Sequence, residues 1–196
     1  MNEDVFETRL TDGRPVVVRP LGPDDREAVA EGYRRLSPDS RYQRFWVRTG
    51  EVIGDAMLDR LLARDPGNHE VWAVLDPALE FPGLGAASYW RTAAAPGVAE
   101  FSCTVLDREQ RAGIGTLLLA VLWLAARRGG IRRFVAYTMP ENRSAVHWMR
   151  DVGATATWDG FKVIFELDLE SLDQLPPTRV GIALAERLGE FAERIL

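Results

Sequence analysis

The sequence predicts a mixed α/β fold: a mostly antiparallel central sheet flanked by helices, with a helical tail behind it. Three observations lead there. Between Ala99 and Arg128 a β-rich run, a glycine loop and an almost wholly apolar helix follow one another, which sets a buried helix against a sheet. Short β-type runs separated by proline and glycine precede that unit, as in an antiparallel meander. After Leu175-Pro176-Pro177, apolar residues return at helical spacing.

Taken in order, Val5 to Leu10 and Pro15 to Arg19 flank Thr11-Asp12-Gly13-Arg14, and Asp-Gly between β-type runs signals a hairpin. Pro23 to Leu36 reads as a first helix, with Val29, Tyr33 and Leu36 on one face and Asp24 and Asp25 where the helix dipole favours acids. Ser37-Pro38 is a cap with proline at the first helical position, opening a short helix through about Phe45. Another helix covers Gly54 to Ala63. Val71 to Leu75 and Gly85 to Arg91 are strands, and Ala95-Pro96-Gly97 turns into the central strand, Ala99 to Leu106. A charged turn, Asp107 to Glu109, leads to the glycine loop. The helix from Thr116 to Arg128 is stopped by Gly129-Gly130. Phe134 to Thr138 is a strand parallel to the central one, and Phe161 to Leu169, with Phe161, Val163, Phe165 and Leu167 alternating with polar residues, is the last.

In the loop, Gln110-Arg111-Ala112-Gly113-Ile114-Gly115, glycines between strand and helix let the backbone approach a ligand and leave the first N–H groups of the helix free. Such a terminus carries roughly +0.5 charge and suits a pyrophosphate. The same glycines could serve packing alone. Nothing here ends in Gly-Lys-Ser/Thr, and the third glycine of a dinucleotide loop is missing.

These residues carry a resemblance. Gln110-x-x-Gly113-x-Gly115 after a strand resembles the pyrophosphate loop of the GNAT acetyltransferases. Downstream, Glu141-Asn142-Arg143-Ser144-Ala145, closing in Val152-Gly153-Ala154, is similar to that family's Glu-Asn-x-x-Ala helix. Upstream, Val18-Arg19-Pro20-Leu21 and Leu36 to Phe45 resemble the acetyltransferase domain of Pat-type bacterial protein lysine acetyltransferases. The resemblance spans about residues 5 to 169, giving an expected domain at 1–170 and a helical extension at 171–196.

By that resemblance, acetyl-CoA is the co-substrate and the acceptor is a primary amine. A protein lysine is the acceptor it points to, and a small-molecule amine stays open, as does a module that binds acyl-CoA without catalysis. Glu100, in Ala99-Glu100-Phe101, matches the family's general base, and apolar neighbours would desolvate it; read from the residues alone it is an exposed strand-end carboxylate. The backbone of Cys103, Thr104 and Val105 would face pantetheine, and Gln110, Arg111, Ala112, Gly113, Ile114, Gly115 and Thr116 would hold the pyrophosphate. Asn142 matches an asparagine near pantetheine, with helix N-cap as its other reading. Arg150, with Arg111 and Arg143, would reach CoA phosphates. Met149 departs from the pattern, standing where many members have a tyrosine that protonates the CoA thiolate.

At 196 residues the chain fits one domain with an appendage. Its net charge of -5 argues against nucleic acid or an anionic membrane as partner and suits cationic substrates, with a charge that simply keeps an ordinary protein in solution as the favoured reading. Arg41 to Arg48 interleaves bases with Tyr42, Phe45 and Trp46; a helix burying its aromatics explains this better than base stacking, and by the resemblance it borders the acceptor cleft. The start, MNEDVFETR, has no apolar signal segment, and the apolar run Leu117 to Ala126 is too short to span a bilayer, so the expectation is a cytoplasmic protein. Cys103 is the lone cysteine, and His69 and His147 lack ligand spacing, so no metal site is expected. In the tail, Val180, Leu184, Leu188, Phe191 and Ile195 share one helical face. Docking on its own domain is the favoured role, a homodimer or partner contact the other, and the tail is expected to be dispensable for cofactor binding.

Overall fold

A computed structural model describes residues 5–170 and 174–195. The chain opens with β1 (Phe6–Arg9) and β2 (Pro15–Pro20), an antiparallel hairpin whose turn uses Gly13 at φ +87°. A 3-10 turn at Pro23–Asp25 precedes α1 (Arg26–Arg35), so the proline starts the turn rather than the helix itself. In α2 (Pro38–Phe45) the Ser37 hydroxyl accepts from the Ser40 N–H at 3.1 Å, as a capping residue does. Gly54 caps α3 (Asp55–Leu62).

The meander is β3 (His69–Leu75), β4 (Gly83–Thr92) and β5 (Ala95–Val105). Ala95-Pro96-Gly97 was expected to turn, yet it lies within β5. The register shifts between Arg91 and Thr92, so Thr92 pairs with Ala95 and the reversal falls on Ala93-Ala94. The Arg91 guanidinium bonds the Pro96 carbonyl and pins this irregular end.

From Gly113, α4 (Ile114–Arg128) begins at Ile114 rather than Thr116. It is followed by β6 (Arg133–Thr138), α5 (Arg143–Asp151), β7 (Thr155–Trp158), β8 (Val163–Asp168) and α6 (Arg179–Ile195). The sequence reading did not anticipate β7, whose residues are all exposed and show no burial alternation. It pairs antiparallel with β8 across the four-residue turn 159–162. Among the described residues the strands form one 8-stranded sheet in the order β1-β2-β3-β4-β5-β6-β8-β7, and only β5 and β6 pair in parallel.

The main core lies between one sheet face and α4, whose residues Leu117 to Ala126 are all at most 3% exposed. The tail joins the same core. Leu184, Leu188, Phe191 and Ile195 are buried, with Phe191 against Phe6 at 5.4 Å between ring centres, while Val180 is half-buried. The apolar face of α6 is therefore spent inside its own chain. The opposite sheet face is covered by α1 and α3 over smaller apolar clusters. Among the described residues no helix is long and apolar enough to cross a membrane.

Candidate active site

The loop into α4 makes a tight left-handed turn that leaves the first helical N–H groups free. Arg111 and Gly113 both take left-handed backbone, φ +69° and +85°, turning the chain sharply between Gln110 and the helix. The first bond of the turn runs from the Leu117 N–H to the Gly113 carbonyl at 3.0 Å. The N–H groups of Ile114, Gly115 and Thr116 precede it and have no intrahelical acceptor. The two glycines differ in role. A Cβ on Gly113 would meet Thr11 Cγ2 at 3.0 Å, and one on Gly115 would meet the Trp148 ring at an ordinary 3.5 Å. Thr11 is fixed there because its hydroxyl donates to the Ala112 carbonyl at 3.0 Å.

The parallel pairing of β5 with β6 covers Val98–Arg133, Ala99–Phe134 and Glu100–Val135, and then stops. Past Glu100 the strands part, so the β6-facing backbone groups of Phe101 to Val105 have no strand partner on that side. This wedge opens into a cavity of about 1030 Å³, large even for a ligand pocket. Its lining brings together Glu100, Cys103, Thr104, Val105, Gln110, Arg111, Gly113, Ile114, Gly115, Thr116 and Asn142. Ala112 lies just outside, its carbonyl taken by Thr11. Arg150 is exposed and lies outside the lining, whereas Arg143 is part of it. Asn142 is the N-cap of α5, its Oδ1 accepting from the Ala145 N–H at 3.1 Å. Met149 is buried at the cavity wall.

Glu100 stands at the closed end of the wedge and is exposed to solvent, so the expected apolar shielding is not there. Strand alternation puts Glu100, Ser102 and Thr104 on the α1–α3 side and Cys103 on the α4 side. Burial pushes the Cys103 thiol up to about 12, against the lowering pull of Arg44. At neutral pH it is a protonated thiol and a poor nucleophile. Arg44 of α2 faces the same cavity. Burial pushes its guanidinium down from its ordinary value while Cys103 and Glu100 pull it up, and an arginine remains charged throughout.

Several members of the site escaped the sequence reading because tertiary packing places them. Asp107 accepts from the Ser37 N–H at 3.0 Å, the Ser37 hydroxyl at 3.0 Å and the Ser40 hydroxyl at 2.7 Å. It thereby latches the start of α2 onto the end of β5. Burial would raise the Asp107 carboxyl, but these bonds outweigh it and hold it below the usual range. The tail also reaches the site: Arg179, Val180, Ala183 and Arg187 of α6 line the cavity. The tail, expected to be dispensable for cofactor binding, thus borders the same cavity. Arg187 is tied to Thr8 and Glu190, whereas Arg179 is exposed at the cavity wall. Among the described residues no group of three or more His, Cys, Asp or Glu is arranged to hold a metal ion.

Comparison with known proteins agrees with this geometry. The family model described as an acetyltransferase (GNAT) domain matches residues 16–155. The chain is 29% identical over 160 residues to acetyltransferase Pat of Mycolicibacterium smegmatis, covering 81% of this chain but only 47% of that protein. It is 32% identical over 152 residues to acetyltransferase PA5475 of Pseudomonas aeruginosa, covering 76% of this chain and 77% of that protein. The crystal structure of the GNAT domain of S. lividans PAT superposes with a TM-score of 0.77 at 26% identity, covering 84% of this chain and 96% of that one.

Proposed function

The chain belongs to the GNAT acetyltransferase family, and from that premise we propose that it transfers acetyl from acetyl-CoA to a primary amine, a protein lysine side chain, by direct attack in a ternary complex. The observation that carries this reading is the wedge between β5 and β6, which closes at Glu100 and opens toward the amides of α4. Acetyl-CoA is the co-substrate of the family, and the residues present fit it. The left-handed pair and the free amides of Ile114, Gly115 and Thr116 suit a pyrophosphate. The unpaired edge of Phe101 to Val105 suits the amides of pantetheine. We assign residues 1–170 to the acetyltransferase domain and 171–196 to an extension whose helix completes the cavity wall.

A lysine ammonium has a pKa of about 10.4, so presenting the neutral amine at pH 7 costs about 4.6 kcal/mol. Glu100 takes that proton, directly or through water, from its place at the closed end of the wedge. The amine nitrogen then forms a bond to the thioester carbonyl carbon, the C–S bond breaks, sulfur leaves with the electron pair, and the second N–H proton passes to the departing thiolate or to water, leaving the neutral amide. Cys103 stays protonated, which favours direct transfer over an acyl-cysteine intermediate. Met149 cannot donate a proton, and a thiol of pKa about 8.5 departs acceptably as the anion. The net charge of -5 favours a cationic acceptor such as lysine.

The test is CoA release from acetyl-CoA across lysine peptides and small amines. Turnover with the peptides above the uncatalysed rate is the expected result. Turnover with small amines alone would move the acceptor class. Tight acetyl-CoA binding with no turnover across a broad panel would leave a sensing module.

A further inference from the structure

The sequence holds 24 lysine and arginine residues, and Lys162 is its one lysine. That single ε-amine lines the same cavity as Glu100. Lys162 sits in the turn between β7 and β8, where Asp159 Oδ1 accepts from the Lys162 N–H at 2.8 Å and from the Phe161 N–H at 3.0 Å. The backbone beneath the side chain is therefore fixed. The same turn meets the end of α2, with the Phe161 ring 6.2 Å from that of Trp46, which also lines the cavity.

The half-buried side chain of Lys162 carries its Nζ to 4.3 Å from the centre of the Tyr137 ring, and that nitrogen makes no ion pair or hydrogen bond among the described residues. Tyr137 is placed by the sheet register. Glu100 pairs with Val135, and Tyr137 lies two residues further along β6, on the same face and about 7 Å into the open part of the wedge. A thioester held between β5 and β6 would pass beside that ring, and so beside the amine above it.

The contact with Tyr137 does not by itself call for lysine. Every other cation–ring contact among the described residues uses arginine, as Arg35 does over Phe81 and Arg41 over Tyr33. A guanidinium is also the commoner partner of an aromatic face. What lysine supplies and arginine does not is an amine that becomes a nucleophile on losing one proton.

We propose that Lys162 is a self-acetylation site, at which the protein's own cavity transfers acetyl in cis to its one lysine. The inference rests on the acetyltransferase reading above and names one acceptor for that site. The Lys162 ammonium gives a proton to Glu100, directly or through water, and Nζ forms a bond to the thioester carbonyl carbon. The C–S bond breaks, sulfur leaves with its electron pair, and the second proton passes to the departing thiolate or to water. The product is a neutral amide, so the modification removes the cation from over Tyr137.

The experiment incubates the purified protein with saturating acetyl-CoA, denatures it and cuts it with an endoproteinase specific for lysine. The unmodified chain gives two fragments, 1–162 and 163–196, whereas the acetylated chain stays whole. Uncut chain should accumulate with a half-time that does not change on dilution of the protein, and the tryptic peptide 151–179 should carry one acetyl group. Glu100→Gln should slow the reaction by about 10² to 10⁴. Equal rates in Glu100→Gln or in urea-unfolded wild type would mark spontaneous chemistry and overturn the inference. A half-time that shortens with protein concentration would overturn it too, because one copy would then be acting on another. Lys162 left unmodified while added lysine peptides are acetylated would sink this inference alone. Absence of transfer to Lys162 and to every added amine would remove the transferase reading beneath it as well.

Discussion

Gly113→Ala isolates the turn on which the anion site depends. At φ +85° an L-residue costs about 1–2 kcal/mol. The new Cβ would also stand 3.0 Å from Thr11 Cγ2. Thr11 yields only by loosening its 3.0 Å bond to the Ala112 carbonyl, worth about 0.5–1.5 kcal/mol. Together these give about 1.5–3.5 kcal/mol, or roughly 3–14 °C in Tm for a chain of this size. Relief of the strain would turn the amides of Ile114 and Gly115 away from a pyrophosphate, so acetyl-CoA affinity should fall at least about tenfold, roughly 1.4 kcal/mol. Gly115→Ala is the control: its Cβ meets Trp148 at 3.5 Å and its φ is not positive. It should melt at or slightly above wild type, since alanine is the better helix former by up to about 1 kcal/mol. Scanning calorimetry on both, with acetyl-CoA titrations, checks this. A Gly113→Ala protein that melts with wild type, or loses no more stability than Gly115→Ala, would refute the reasoning.

Three further outcomes follow from the same packing. Phe191→Ala removes a fully buried ring tilted against Phe6 and should cost about 3–5 kcal/mol in denaturant unfolding; a loss under about 1 kcal/mol would mean the tail is not part of the core. Arg179→Glu should leave Tm unchanged, because Arg179 is exposed, while weakening acetyl-CoA binding most at low salt; unaltered affinity would remove α6 from the cofactor wall. The Asp107 carboxyl is held below its usual value, so its stabilisation is present above the unfolded value of about 3.9 and is lost as pH falls through the lower folded value. The Tm difference between wild type and Asp107→Asn should therefore be steady at neutral pH and close below about pH 4, and a gap that persists at pH 2 would contradict the latch.

How far the sequence could be read depended on whether a feature is local. Asp12-Gly13 announced its hairpin, Ser37-Pro38 its cap, and the apolar run after Gly115 its buried helix, because each is set by backbone chemistry within one turn. The start of β5 was hidden by Pro96 and Gly97, which look like breakers until the register shift at Thr92 is seen. β7 was missed because Thr155-Ala156-Thr157-Trp158 is only four residues long, although Asp159-Gly160 was a usable hairpin signal. At the site, the motif located the loop and Glu100 but not the company they keep. Arg44 arrives from α2 and Arg179 from α6, and no spacing rule links either to residue 100. The parting of β5 from β6 is likewise a matter of where a ladder ends. The tail showed its apolar face in the sequence, yet which surface it met, and that its first turn would reach the cavity, came only from the packed chain.

The central claim is that Glu100 takes the amine proton while the cofactor is held elsewhere, and Glu100→Gln tests it most directly. Acetyl-CoA affinity should stay nearly intact by calorimetry, because Glu100 stands at the far end of the wedge from the α4 amides. Turnover at pH 7 should fall by about 10² to 10⁴. The defect should shrink toward pH 9.5, where more of the acceptor arrives already neutral. Equal loss at pH 7 and pH 9.5, or a variant that matches wild type at both, would contradict the account.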